Sequence, residues 1–271
     1  MITKPKHLLF APLLWQQGKR VKRDTPSLPE PTGDRHGMVA LSKTNDKQAK
    51  HNVYRLMIVG DSSAAGVGVE TQEQALAHQL VKNFKQQPQF CQSYTHIDWQ
   101  LHATTGHTSF DVLRRLYVLA PSPKPIDLMI IVVGVNDTTS MLSLDNWKAN
   151  IEEIITVAQL KHSPKNIIFS ALPPIRHFPA LPVPLNGLIG DKAEQLDTAL
   201  AEICDGFNHI HYTSFSLPFD LAKRQFTFSS GKKANSNDAH IAKYFAIDGF
   251  HPSDLTYQYW AEQLTEVIIK L

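Results

Sequence analysis

The stretch Leu56-Met57-Ile58-Val59-Gly60-Asp61-Ser62 decides the fold that this sequence predicts. Four apolar residues followed by Gly-Asp-Ser are typical of a buried strand that ends at a tight turn. The serine then lies at the carboxyl end of the strand, where open α/β sheets bind their ligands. Ser62 is therefore a candidate nucleophile, provided that a base and a site for the developing oxyanion lie close to it.

Apolar strands alternate with amphipathic helices along the rest of the chain. Strands are predicted at residues 55–59, 97–102, 127–133, 166–171 and 209–212, and helices at 72–84, 110–119, 146–160, 191–204 and 255–271. The third strand is an almost unbroken apolar run, which indicates burial on both faces, as in a parallel sheet. We expect Phe110 and Tyr117 to face inward from the second helix, and Leu271 from the last. The alternation predicts βαβ units with right-handed crossovers.

Composition excludes several classes of protein. The chain has 271 residues, enough for one sizeable α/β domain. Its 27 Lys and Arg residues nearly balance its 25 Asp and Glu residues and form no basic face, so no nucleic-acid partner is expected. The two cysteines, Cys91 and Cys204, fit either a pair or two free thiols. No apolar stretch approaches the ~20 residues that span a bilayer.

Residues 1–50 are predicted to form an N-terminal extension or arm, and residues 51–271 the main domain. We expect an extended arm packed on the domain, with irregular structure or a linker over residues 16–50. The alternative is a peripheral membrane contact, with 13–15 inserted and the basic residues of 19–23 near lipid phosphates. The sequence favours a cytoplasmic location and leaves membrane association and export open.

Three further motifs follow predicted strands or precede the last helix. In the segment 103–108, a glycine at position 106 lets the backbone approach a ligand, and its N–H can donate to an oxyanion. Asn136, in Gly-Val-Asn-Asp, follows the third strand and carries an amide that can serve as a second donor. Each motif taken alone is equally typical of an ordinary turn.

The third motif, Asp248-Gly249-Phe250-His251-Pro252, precedes the last helix. An Asp and a His three residues apart in a turn can contact each other. His251 can then take a proton from a serine while Asp248 orients the imidazole. Pro252 disfavours helical backbone at His251 and so favours placing it in the loop before the helix.

Taken together, these motifs resemble the four sequence blocks of the GDSL/SGNH hydrolase superfamily. Ser62, Gly106, Asn136 and His251 match the Ser, Gly, Asn and His of those blocks, in the family's order. The resemblance covers roughly residues 53–271, and the fourth letter of the first block is Ser63 instead of leucine. It implies a flavodoxin-like three-layer α/β/α sandwich, with a five-stranded parallel sheet in the order 2-1-3-4-5, in a hydrolase domain over residues 51–271.

The resemblance also implies the roles of the site residues. Ser62 would be the nucleophile, His251 the general base and acid, and Asp248 the carboxylate that orients the histidine. The oxyanion hole would be formed by the N–H groups of Ser62 and Gly106 and the side chain of Asn136. Asp61 is expected to brace the turn, and no cofactor or metal is implied.

The substrate class predicted from these roles is a small-molecule, lipid or glycan ester. Serine esterase or acylhydrolase activity is the leading hypothesis, and a carbohydrate or peptidoglycan O-acetyl esterase with the same triad is the second. A non-catalytic glycan- or lipid-binding module is the alternative from another class. Loop residues expected to line an acyl pocket are Phe178, Leu181, Leu188, Phe219 and Phe226. The sequence leaves the acyl length and the oligomeric state open.

Overall fold

A central β-sheet flanked by helices organises the structure, a computed structural model that describes residues 10–41, 52–215 and 242–271. The strands are β1 (His36–Ala40), β2 (Val53–Gly60), β3 (His96–Ala103), β4 (Leu128–Val132), β5 (Asn166–Ser170) and β6 (Ile210–Thr213). The described helices are α1 (Ala11–Asp24), α2 (Ser62–Ala65), α3 (Leu76–Lys85), α4 (Pro88–Ser93), α5 (Ser109–Val118), α6 (Val135–Thr139), α7 (Leu144–Val157), α8 (Leu185–Asp205) and α9 (Asp254–Ile268). Short 3₁₀ turns span Gln72–Gln74 and Ile175–His177, and a π-helical turn spans Ala158–His162.

The sheet has six strands in the order β1-β3-β2-β4-β5-β6. Strands β2 to β6 are mutually parallel, and numbered among themselves they follow the predicted order 2-1-3-4-5. The expectation of five strands was wrong, because β1 pairs antiparallel with β3 at the edge. Its residues alternate between exposed and half-buried, so this edge strand lacks the continuous apolar run by which a central strand is recognised.

The core lies on both faces of the sheet and makes the fold three-layered. On one face, side chains such as Met129, Ile131 and Phe169 pack against α5, α7 and α8. On the other, Leu128 and Ile130 pack against α3 and α9. Every residue of β4 is buried, which explains why its sequence reads as an uninterrupted apolar run.

Two helices face the core differently from the sequence prediction. In α5 the buried apolar residues are Val112, Leu113 and Leu116, while Phe110 and Tyr117 are exposed. Phe110 lies under the Arg114 guanidinium, and the Tyr117 hydroxyl donates a hydrogen bond to Glu153. Leu271, expected to face inward, is also exposed because α9 ends at Ile268. Aromatic side chains with a polar neighbour are stable at the surface, which apolar periodicity alone cannot detect.

The N-terminal arm is helical over α1, which corrects the prediction of an extended segment. Leu14 is buried against the core, and the Gln17 side chain bridges the Val183 carbonyl at 2.8 Å and the Leu185 N–H at 3.2 Å. Leu13 and Trp15 remain exposed. None of the helices in the described ranges is long and apolar enough to cross a membrane. Contact of this helix with a membrane surface stays an untested alternative to an arm packed on the domain.

Gly60 shows why the deciding stretch needs its glycine. A Cβ placed there would lie 2.4 Å from the Val132 carbonyl oxygen and 2.8 Å from Ala64 Cβ. We expect Gly60→Ala to lower the free energy of unfolding by about 1–3 kcal/mol or more, since backbone must shift. Urea denaturation measures this. The control is Gly18→Ala in α1, where an added Cβ meets no atom of the described residues within 4 Å. This substitution should raise the free energy of unfolding by about 0.5–1 kcal/mol. An unchanged midpoint for Gly60→Ala would contradict this account.

Candidate active site

The turn after β2 places Ser62 at the carboxyl end of the parallel strands. Asp61 caps α2, its Oδ1 accepting a hydrogen bond from the Ser63 N–H at 2.9 Å. The Asp61 N–H donates in turn to the Val132 carbonyl at 3.1 Å, which ties the turn to β4. Ser62 is 6% exposed, so its hydroxyl lies in a largely enclosed position.

A continuous hydrogen-bonded row joins Ser62 to the segment before α9. His251 Nε2 lies 3.0 Å from Ser62 Oγ, and His251 Nδ1 lies 2.5 Å from Asp248 Oδ2. Because a carboxylate accepts hydrogen bonds, the imidazole proton belongs on Nδ1, which leaves Nε2 to accept the proton of the Ser62 hydroxyl. The structure therefore brings these three predicted residues together in the order of a catalytic triad.

Asp248 is held as a carboxylate by its surroundings. Its side chain is buried, and its Oδ1 accepts hydrogen bonds from the N–H groups of Phe250 at 2.9 Å and His251 at 3.0 Å. Burial alone would raise the pKa of Asp248, but the hydrogen bonds from His251 and these N–H groups outweigh it and keep the pKa below its ordinary value. A charged carboxylate then stabilises a protonated His251.

Gly106 and Asn136 lie in neighbouring loops that are joined by a hydrogen bond. Gly106 has a positive φ of 83°, and Asn136 Nδ2 donates to the His107 carbonyl at 2.9 Å. Asn136 lines the same cavity as Ser62 and His251, and so does Thr105, whereas Gly106 is outside the lining found among the described residues. The predicted oxyanion residues are thus grouped near the carboxyl ends of the parallel strands, where Ser62 lies.

Sequence reasoning missed Asp137, which fixes the segment that carries Asn136. Asp137 is fully buried and accepts hydrogen bonds from the Ser109 N–H at 2.9 Å and from the Ser109 hydroxyl at 2.6 Å. Asn150 Nδ2 donates to the same hydroxyl at 2.8 Å. Burial raises the pKa of Asp137, and the bonds from Ser109 oppose that rise. An Asp directly after the candidate Asn was the available signal.

The triad opens into a cavity of about 250 Å³. About half of the side chains around it are apolar, including Pro173, Phe178, Phe215 and Phe250. One wall comes from the arm, residues 25–28, which the sequence did not indicate.

Of the five predicted lining residues, only one is found at this cavity among the described residues. Phe178 lines it, while Leu181 and Leu188 pack with the hydrophobic core. Phe219 and Phe226 lie outside the described residues. The cavity wall therefore comes partly from a segment far from the loops that the sequence favoured.

The cysteines and the possible metal ligands were also candidates for chemistry. Cys91 and Cys204 are both free thiols, and burial raises the pKa of Cys204 to about 12. Within residues 10–41, 52–215 and 242–271, no cluster of three or more His, Cys, Asp or Glu side chains is arranged to hold a metal ion.

Comparison with known proteins shows the family and the fold of this chain. A family profile described as the GDSL-like Lipase/Acylhydrolase family matches residues 58–259, which is most of the chain and includes all five predicted site residues. This chain belongs to the GDSL-like lipase/acylhydrolase family, and it is an ester-hydrolysing enzyme. No curated protein sequence gives a significant match.

Solved structures share the fold at low sequence identity. The psychrotrophic esterase EstA from Pseudoalteromonas sp. superposes with a TM-score of 0.54 at 17% identity, covering 80% of this chain and 97% of its own. A lipolytic protein of the G-D-S-L family from Veillonella parvula gives 0.54 at 14%, covering 81% and 100%. A family 3 carbohydrate esterase from Clostridium thermocellum gives 0.52 at 16%, covering 81% and 96%.

Asp61 gives the site a pH-dependent contribution to stability. Complete burial raises the pKa of Asp61 to about 7, while the Ser63 hydrogen bond and the His251 charge partly oppose the rise. A buried acid with a raised pKa loses stability as pH rises from its unfolded value, near 3.8, through its folded value. The native protein should therefore lose stability between pH 4 and pH 8, whereas Asp61→Asn should not. We expect the free energy of unfolding of Asp61→Asn to increase relative to that of the native protein over this range, by about 1.4 kcal/mol per unit of pKa shift.

Differential scanning fluorimetry at several pH values measures this difference. The control is Asp205→Asn, which removes an exposed carboxylate at the end of α8. A stability difference between Asp61→Asn and the native protein that stays constant over this pH range would show that Asp61 is ionised throughout.

Proposed function

We propose that this protein is a serine carboxylesterase or acylhydrolase that works through an acyl-enzyme on Ser62. The observation that carries the proposal is the row of two hydrogen bonds, 3.0 Å from Ser62 Oγ to His251 Nε2 and 2.5 Å from His251 Nδ1 to Asp248 Oδ2. A nucleophile, a base and a group that orients the base, in hydrogen-bonded contact, are what nucleophilic acyl transfer requires.

In the first step, Ser62 Oγ attacks the acyl carbon of the ester while His251 Nε2 accepts the hydroxyl proton. Asp248 stabilises the imidazolium that forms. The carbonyl oxygen becomes negative, and its donors are the N–H groups of Ser62 and Gly106 and the Asn136 amide. Asn136 has two amide protons, and since one is donated to the His107 carbonyl, the second remains for the oxyanion.

In the second step, the tetrahedral intermediate collapses and His251 gives its proton to the leaving alcohol. A water molecule then enters, His251 takes a proton from it, and the hydroxide attacks the acyl carbon. The carboxylic acid leaves when His251 returns the proton to Ser62 Oγ. Each donor in such an oxyanion hole contributes about 2.7–4 kcal/mol to transition-state stabilisation.

The lining of the cavity supports an ester with an apolar acyl group. Four prolines and four phenylalanines are among the residues that line the cavity, and such side chains stabilise a hydrocarbon chain by excluding water from it. At about 250 Å³ the cavity lies just below the range of about 300–1,000 Å³ typical of sites for drug-sized ligands, which favours a short or medium acyl chain. An O-acetyl esterase acting on a glycan remains the second candidate, and it would need a more polar surface around the triad.

Replacing the nucleophile tests the mechanism directly. We expect Ser62→Ala to lower kcat on p-nitrophenyl butyrate by about 10⁴- to 10⁶-fold, with an unchanged melting temperature, because only one hydroxyl is removed. A fluorophosphonate probe should label the native protein at Ser62 and fail to label the variant. Ser93→Ala, at the exposed end of α4, is the control. Retained turnover in folded Ser62→Ala would refute the acyl-enzyme, and absence of both turnover and labelling in the native protein would favour a binding module.

A series of p-nitrophenyl esters separates the two substrate classes. Because four phenylalanines and four prolines line the cavity, we expect kcat/KM to rise from acetate to butyrate and to remain measurable at longer chains. The measurement is initial-rate kinetics on acetate, butyrate, hexanoate and octanoate. Activity confined to acetate would instead favour the O-acetyl esterase.

A further inference from the structure

The loop of residues 103–107, named here the oxyanion loop, carries Gly106 and is exposed at its tip. The following inference rests on the proposed function, in which the Gly106 N–H is an oxyanion donor. A preformed donor stabilises a transition state only if it already points at the reacting oxygen. Something must therefore fix the direction of this N–H in an exposed loop.

The backbone of the oxyanion loop forms a turn whose geometry decides that direction. The His107 N–H bonds to the Thr104 carbonyl at 3.3 Å, and Gly106 has a φ of 83°, as at the third position of a type II turn. The Gly106 N–H lies in the peptide plane between Thr105 and Gly106. A Cβ at Gly106 would meet no atom of the described residues within 4 Å, so packing against that part of the chain does not hold this plane in place.

Glu30, on the N-terminal arm, holds the residue just before this plane, Thr105, by accepting two hydrogen bonds from it. Glu30 Oε1 accepts from the Thr105 N–H at 2.7 Å and from the Thr105 hydroxyl at 2.9 Å. Its other oxygen accepts from Arg35 Nη1 at 2.7 Å, and Arg35 Nη2 donates to the Ala103 carbonyl. The Glu30–Arg35 ion pair therefore bonds to the oxyanion loop at two residues, Ala103 and Thr105.

Glu30 keeps its charge in this position. Partial burial would raise its pKa, but the hydrogen bonds from Thr105 and Arg35 outweigh it and hold the pKa of Glu30 below its ordinary value. A charged acceptor makes stronger hydrogen bonds than a neutral one. The carboxylate therefore stays an acceptor for Thr105 at neutral pH.

The arm beside Glu30 is anchored to the main domain. Pro31 is buried and packs closely against Gly66. A Cβ added to Gly66 would lie 2.9 Å from Pro31 Cγ. The Gln72 N–H bonds to the Thr32 carbonyl at 2.8 Å. On its other side, the oxyanion loop is bonded to Asn136 through the His107 carbonyl. The loop is thus held between a fixed arm and the other oxyanion residue.

We propose that Glu30 is a positioning residue that aligns the Gly106 N–H with the oxyanion. It reaches the reaction only through Thr105 and Gly106, and it lies outside the part of the chain that matches the family, residues 58–259. The N-terminal arm is then part of the catalytic apparatus of this enzyme and does more than cover the domain.

The test compares Glu30→Gln and Glu30→Ala in the full chain, with p-nitrophenyl butyrate as substrate. We expect Glu30→Ala to lower kcat by about tenfold to a hundredfold with KM changed less than twofold, a smaller loss than complete removal of a donor. Glu30→Gln keeps an acceptor for Thr105 and should fall between Glu30→Ala and the native enzyme. The control is Asp34→Ala, an exposed carboxylate on the same arm.

A double-variant cycle separates positioning from a general structural role. In the Gly106→Ala background the donor is already displaced, so adding Glu30→Ala should change kcat less than twofold. Unchanged kcat in folded Glu30→Gln and Glu30→Ala, or effects that multiply fully in the double variant, would overturn the proposal. Fluorophosphonate labelling of Ser62, measured in every variant, distinguishes failure of this proposal from failure of the proposed function. If the native protein is not labelled, the result counts against the acyl-enzyme and not against the role of Glu30.

Discussion

The hydrogen bond between His251 Nε2 and Ser62 Oγ is the contact on which the site depends, because it joins segments 189 positions apart in the chain. Two neighbouring features hold these segments close together. Gly68, at a φ of 111°, lies so close to the Pro252 carbonyl that a Cβ there would be 2.2 Å from the oxygen. The Tyr257 hydroxyl bonds to the Val67 carbonyl at 2.8 Å, which holds α9 against the same turn. The base therefore approaches the nucleophile through close backbone contact, and a side chain at position 68 would push the two segments apart.

Three buried aspartates surround this contact, and their environments give them different properties. Asp248 receives N–H and imidazole donors and has a lowered pKa, so it serves as the anion beside the histidine. Asp61 receives a hydrogen bond from Ser63, and complete burial raises its pKa to about 7. Asp137 binds Ser109 and supports the Asn136 segment. The same side chain thus supplies charge at one position and structural hydrogen bonds at the others, according to the donors it meets.

The sequence predicted the central parallel strands and the residues next to Ser62 because both have local signals. A fully buried strand such as β4 is a continuous apolar run, and the strand-end motifs occur in the order of a known family. Features set by tertiary contacts had no such signal. Strand β1 has one exposed face, α1 is basic and only Leu14 is buried, and Glu30 is a single acidic residue in a proline-rich segment. Their positions follow from the edge of β3 and the surface of the oxyanion loop, which sequence periodicity does not describe.

The order of the site residues along the chain has a consequence for synthesis. Ser62 and its turn are made early, Asn136 about midway, and Asp248 and His251 only shortly before α9. Since domains tend to fold as units, a growing chain carries its nucleophile for most of its synthesis without a base beside it. In the proposed mechanism, ester cleavage therefore begins only when α9 packs against α3 and brings His251 to Ser62. If Ser62 is the nucleophile, the topology of the fold delays its activation until the last part of the domain has folded.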